Sequence, residues 1–173
     1  MIILPTKKFS DFIGVKQRLA PLPEFANPDA CWFGNIIVLN RKKGLLLTHE
    51  PTRYSIFIYG LTKKDLKNLH DIIVSHLKYH LFEDKFTLKQ MEYLLSISEN
   101  FSYFKKTDRK VTGTMNNMSA ILYHHFKTYE NINDKELTKK LNSMLFKIND
   151  EYQHPVELMK EYIAESLLIR ELE

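Results

Sequence analysis

Across residues 31–40 the chain reads Cys-Trp-Phe-Gly-Asn-Ile-Ile-Val-Leu-Asn, with large apolar side chains at both odd and even positions. Side chains alternate between the faces of a strand, so Trp32, Ile36 and Val38 share one face and Phe33, Ile37 and Leu39 the other. A strand apolar on both faces is buried on both. Most of the rings on or beside the strands, which also include Phe57, Tyr59, Phe101, Tyr103 and Phe104, are therefore assigned to the core and not to a base-stacking surface.

The pattern continues through a charged turn, Arg41-Lys42-Lys43-Gly44, into residues 45–48 and then 54–59. A glycine closing a charged turn between apolar runs is a hairpin signal, and three antiparallel strands are predicted. Upstream, residues 2–4 read as a short buried strand and residues 9–19 as a brief amphipathic segment. Pro21, Pro23 and Pro28 then break all periodicity and predict a surface loop. From Thr62 the spacing becomes helical, with Leu66, Leu69, Ile73, Leu77 and Leu81 on one side, Thr62 as N-cap and Asp65 in the first turn. A second helix is predicted over residues 87–98 and a returning strand over 101–104. A third helix begins near Thr114, lined by Met118, Ile121, Leu122, His125 and Tyr129. A fourth covers residues 134–148 behind the capping pair Asn133 and Glu136, and a fifth opens at Pro155. The expected fold class is α+β, a small antiparallel sheet followed by and packed with about five helices.

With 173 residues, 44% hydrophobic and 12% aromatic, the chain can bury one real core but not comfortably two, so residues 1–173 are expected to form one domain, with 164–173 as a C-terminal helical extension. The one cysteine, Cys31, can form no intrachain disulfide, which fits a reducing cytoplasm. Met1-Ile2-Ile3-Leu4 precedes the Lys7-Lys8 pair, the reverse of a signal peptide's order, and no apolar run approaches the roughly 20 residues that span a bilayer. The expectation is a soluble cytoplasmic protein with no membrane partner.

The net charge of +4 is unevenly placed: residues 1–112 hold 18 Lys or Arg against 11 Asp or Glu, and residues 113–173 hold 7 against 10. The excess clusters at Lys7-Lys8, at Arg41-Lys42-Lys43, and at Lys105-Lys106 with Arg109-Lys110. Convergence of these runs on one face would attract phosphates, whereas scattered runs would serve solubility alone. The most informative segment is Lys105-Lys106-Thr107-Asp108-Arg109-Lys110-Val111-Thr112-Gly113-Thr114-Met115-Asn116-Asn117. A basic stretch leading through a glycine into a helix start can hold an anion on the unpaired first N–H groups. The anion or nucleic-acid site predicted here comprises Lys105, Lys106, Arg109, Lys110, Gly113, Thr114 and Asn116. The segment lacks the lysine and loop of a P-loop and the spaced glycines of a dinucleotide fingerprint, and no cofactor is expected.

Thr6-Lys7-Lys8 after the first strand, Trp32 followed by Asn35 in the second, and the run from Lys106 to Asn116 together resemble an uncharacterised bacterial domain family with a K-T-x-x-[RK]-x-V-x-G-[ST]-M-N core. Leu141-Asn142-Ser143-Met144 and Pro155-Val156-Glu157-Leu158 are similar to its later part. The likeness spans about residues 1–163. It implies a bacterial cytoplasmic α+β domain of unknown function and transfers no activity and no catalytic residue.

Enzyme readings find little support. His70-Asp71 has the form of the metal-binding dyad of HD-type phosphohydrolases, but that fold is all-helical and strands precede the dyad here. His76 and His80 lie four apart without the glutamate of a zinc protease, and a place near a helix C-terminus, protonated against the dipole, accounts for them. His124 and His125 point to different helix faces. Cys31 has no basic sequence neighbour to lower its pKa, although His49 can approach it from the next strand. Glu83-Asp84 reads as a helix-ending surface pair. No metal site and no catalytic residue is assigned.

The leading expectation is a binding or regulatory module for nucleic acid or another polyanion. The alternative is a protein–protein module of inhibitor or antitoxin type, and a metal-dependent phosphoesterase stands third. Along residues 155–173, Val156, Met159, Ile163 and Leu167 form one apolar line and Leu158, Tyr162, Ile169 and Leu172 a second, which predicts a homodimer or protein partner through the C-terminal helices.

Overall fold

β1 (Ile2–Pro5), apolar throughout, lies inside a five-stranded sheet. In the computed structural model, which describes residues 1–15, 19–128, 133–148 and 150–172, β2 (Cys31–Leu39), β3 (Lys42–His49) and β4 (Ser55–Leu61) form an antiparallel meander. β1 lies parallel to β2, the two-residue β5 (Ser102–Tyr103) lies parallel to β1, and the order is β4-β3-β2-β1-β5. The sheet is thus mixed and not purely antiparallel. The connection from Pro5 to Cys31, which contains α1 (Lys7–Ile13) and the proline-rich loop, is long enough for the crossover a parallel pair requires.

The β2–β3 turn is tighter than the sequence suggests. Asn40 and Arg41 both take left-handed φ, 46° and 63°, as a two-residue hairpin turn requires, so Lys42, Lys43 and Gly44 belong to β3. Gly44 serves close packing: a Cβ there would lie 2.5 Å from a ring carbon of Phe57.

Both faces of the sheet are covered, as the two-sided apolar pattern of β2 demands. Trp32, Ile36, Leu45, Leu47, Ile56 and Ile58 pack beneath α1, α2 (Leu69–Glu83), α3 (Leu88–Ser96) and α6 (Pro155–Leu172). Phe33, Ile37, Leu39, Leu46 and Phe57 pack on the other side against α4 (Arg109–Thr128), α5 (Asp134–Ser143) and Phe146 and Ile148. Asp65 accepts from the N–H and hydroxyl of Thr62, as the capping pattern predicts, but the turn it opens is a 3-10 segment, Lys63–Asn68, ahead of α2. The expected fourth helix stops at Ser143, and Phe146–Ile148 is β6, paired with β7 (Glu151–Gln153) in a short hairpin. Tyr129, assigned to the third helix, lies outside the described residues. α6 continues unbroken from Pro155 through Leu172. No helix among the described residues is long and apolar enough to cross a membrane.

The edge of the sheet at β4 is closed by a helix. The N–H and C=O of Ser55 meet the side-chain amide of Asn142 at 2.8 and 2.9 Å. The Phe57 N–H donates to the Thr138 hydroxyl at 2.9 Å, that hydroxyl donates to the Phe57 carbonyl at 3.3 Å, and the Tyr59 N–H donates to Asp134 at 3.1 Å. Every fourth residue of a helix advances about 6 Å and every second residue of a strand about 6.6 Å, so side chains at 134, 138 and 142 keep step with β4. α5 takes the place of a sixth strand.

Candidate anion-binding site

Two parallel strands, β1 and β5, end side by side, and the chain leaving each carries lysines. Thr6, directly after β1, donates its N–H to the Gly34 carbonyl at 2.8 Å and its hydroxyl to Asn35 Oδ1 at 2.8 Å, and accepts the Phe9 N–H as N-cap of α1. Lys7 and Lys8 follow, both exposed. Beyond β5, the backbone of Lys105 is gripped by the proline-rich loop: its N–H donates to the Ala20 carbonyl at 2.8 Å and its carbonyl accepts from Leu22 at 3.1 Å. The loop predicted to run over the surface therefore extends the sheet as an isolated parallel bridge, Pro21 to Lys105.

A groove of about 390 Å³ opens at these strand ends, floored by Leu4, Phe33 and Val15 and rimmed by Lys7, Lys105 and Lys106. An adjoining hollow of about 260 Å³ brings in Lys8, Asn35, Thr112 and Asn116. Neither has an acidic residue in its lining among the described residues. Lys106 is ion-paired with Glu50, whereas Lys7, Lys8 and Lys105 have no carboxylate partner among the described residues. The crevice at the carboxyl ends of parallel strands is where open α/β sheets hold ligands.

The predicted helix start requires correction. α4 begins at Arg109, five residues before Thr114, because Asp108 caps it by accepting the N–H groups of Lys110 and Val111 at 2.8 and 3.0 Å. Gly113 lies inside the helix with no left-handed φ, and the N–H groups after it are not free helix-start donors. Asp108 already occupies the true start. At 3.6 residues per turn the predicted cluster fans around the helix, and it is not gathered on one face. Thr112 and Asn116 face the groove with Lys105 and Lys106 nearby, while Arg109, Lys110, Gly113 and Thr114 line a separate cavity of about 240 Å³. Thr114 is buried and donates to the Lys110 carbonyl at 3.2 Å.

The second cavity contains a residue that the sequence did not mark. Arg53, in the β3–β4 connection, is 4% exposed and walls the cavity together with Arg109, Lys110, Lys147 and Asp150. Burial pulls its pKa down, and the nearby carboxylates of Asp108 and Glu50 oppose that pull. Lys7, Lys8 and Asn35 were visible as a basic run and as family-like positions, but nothing in their spacing joined them to Lys105.

Several other polar groups singled out in the sequence are bonded within the fold, whereas His76 Nδ1 and His80 Nε2 are buried without a hydrogen-bond partner. His70 Nε2 faces the Ser98 carbonyl at 3.1 Å and Nδ1 faces Asp71 at 3.1 Å. Cys31 is buried, and burial with Glu50 nearby pushes its thiol up to about 11. His80 is buried and held down to about 4, and burial also lowers His76, which overturns the expectation of protonated histidines serving the helix dipole. Asp84 accepts the Tyr54 hydroxyl at 2.6 Å and is no free surface carboxylate. Among the described residues no group of three or more His, Cys, Asp or Glu is placed to hold a metal ion.

A family model described as a domain of unknown function, DUF6933, matches residues 2–158. No curated protein and no solved structure matches the chain.

Proposed function

This chain belongs to the DUF6933 family of domains of unknown function, and from that premise we propose that it is a bacterial cytoplasmic protein that binds nucleic acid or another polyanion along the groove at the ends of β1 and β5. The observation that carries the reading is the meeting of Lys7 with Lys105, nearly a hundred residues apart in sequence, around one groove and of Lys8 in the hollow that adjoins it, with no acidic lining and no carboxylate partner for any of the three among the described residues. Lysines so placed neutralise backbone phosphates, and the apolar floor accommodates a base or sugar between them. Asn35, Thr107 and Asn116 add amide and hydroxyl groups for phosphate or base edges.

The test is fluorescence anisotropy with mixed-sequence single-stranded RNA and DNA over a range of salt. The parent binds with affinity that falls as salt rises, and replacing Lys7, Lys8 and Lys105 by Ala lowers the slope of log K against log salt by about 2–3. A parent that does not bind at low salt, or a triple variant that binds equally well, refutes the reading.

A protein-partner reading is favoured by one further observation. Leu168, Ile169 and Leu172 are exposed at the end of α6, and Leu88 is exposed at the start of α3, next in sequence to the Lys89 that pairs with Glu171. A second copy of the chain is the occupant proposed for this surface. Light scattering at high micromolar concentration that shows only monomer overturns it.

A further inference from the structure

Burying a guanidinium is costly unless its donors are met, because arginine stays charged and offers five N–H groups in a planar fork. Arg53 is 4% exposed, yet its side chain makes no hydrogen bond or ion pair among the described residues, and its buried Nε has no acceptor. Neither carboxylate near it bonds its side chain: one oxygen of Glu50 holds Lys106 while the other is itself buried without a hydrogen-bond partner, and Asp108 holds the first N–H groups of α4.

The cavity beside Arg53 adds three more cations, Arg109, Lys110 and Lys147, against a single lining carboxylate among the described residues, Asp150. Asp150 is shared between Lys110 at 3.7 Å and Lys147 at 3.6 Å, so the wall keeps a surplus of positive charge even where it is paired. At about 240 Å³ the space falls below the range of roughly 300–1,000 Å³ typical of drug-sized ligand pockets, which selects a small group. The helix side of the wall is open at Gly113, where an added Cβ would meet nothing within 4 Å. A planar fork and clustered cations in a small cavity match a tetrahedral oxyanion, which accepts two parallel bonds from one guanidinium.

We propose that this cavity is a phosphate site, taking a phosphate dianion, free or as the terminal monoester of a strand, with Arg53 as its bidentate anchor and Arg109, Lys110 and Lys147 as its charge. The site goes beyond the groove reading and does not depend on it, since it is carried by different residues on the other side of α4.

The full chain is titrated with inorganic phosphate by calorimetry at low ionic strength, and separately with one oligonucleotide carrying or lacking a 5′-phosphate. Phosphate binds the parent, and Arg53→Lys, which keeps the charge and loses the fork, weakens it by about tenfold or more. Arg109→Ala with Lys147→Ala, both on the surface, weakens it comparably without moving the unfolding midpoint. This double variant decides the matter if Arg53→Lys does not fold. Preference for the 5′-phosphorylated oligonucleotide, lost in the double variant, identifies the strand terminus as the source, and equal binding of both oligonucleotides with phosphate still bound identifies the free ion. No heat with millimolar phosphate, or a double variant that binds it as the parent does, overturns the proposal. If phosphate binds while the parent ignores nucleic acid, the groove reading falls and this one stands.

Discussion

Asn142→Leu tests whether α5 completes the sheet. The substitution keeps a branched side chain of similar size at a site 1% exposed, so the main loss is polar. The N–H and C=O of Ser55, itself fully buried, lose partners now at 2.8 and 2.9 Å. An orphaned buried polar group costs about 1–3 kcal/mol, and the added apolar surface returns about 1 kcal/mol, which leaves a net loss of about 1–5 kcal/mol. For a chain of this size each kcal/mol moves the midpoint by roughly 2–4 °C. Urea unfolding followed by circular dichroism measures the loss directly. Asn142→Asp keeps an acceptor for the Ser55 N–H but sets a second oxygen against the Ser55 carbonyl, so it too destabilises. Lys140→Ala, on the exposed side of the same helix, stays within about 0.5 kcal/mol of the parent. If Asn142→Leu also stays within that margin, the amide is not substituting for a strand and the argument fails.

Gly113→Ala stabilises the protein by about 0.5–1 kcal/mol, because Gly113 lies within α4 with room for a methyl group, and an unchanged or lower unfolding midpoint contradicts that placement. Stability falls as pH drops from about 6.5 towards 4, since His49 and His80 are held neutral with pKa about 4 in the fold and titrate near 6.5 when unfolded. His49 alone accounts for about 3 kcal/mol of that loss, so His49→Gln flattens the pH dependence measured by urea unfolding. Cys31 in the native protein reacts with iodoacetamide at least tenfold more slowly than in urea, as a buried thiol pushed up to about 11 requires, and equal rates exclude that burial.

The core and the site differed in how far the sequence exposed them. Two apolar parities in residues 31–40 required cover on both faces, and both faces are covered. The parallel pairing of β1 was hidden because three or four apolar residues carry no record of their partner's direction. β6 and β7, three residues each, are too short for alternation to separate them from a helix end. The start of α4 was legible in principle: Val111, Met115, Met118, Leu122 and Phe126 form one stripe at spacings of three and four behind Asp108, a good N-cap. Placing the helix start after Gly113 obscured that stripe and gathered into one site residues that the helix separates. Arg53 had no sequence signal at all, because its significance lies in burial among charges from two distant segments, 108–110 and 147–150.

The closing of the β4 edge by α5 also sets an order on synthesis. Ser55 and Asn142 are 87 residues apart, so a chain made from its N-terminus presents the complete β2–β3–β4 meander long before its cover exists. During that interval Ser55, Phe57 and Tyr59 offer the same N–H and C=O groups that a neighbouring nascent chain could use for its own strand. The opposite edge runs little risk, since β5 is two residues long and ends in the bridge to Pro21. Ribosome-bound fragments that include β5 but stop before residue 134 therefore carry one open strand edge, and it stays open until translation reaches α5.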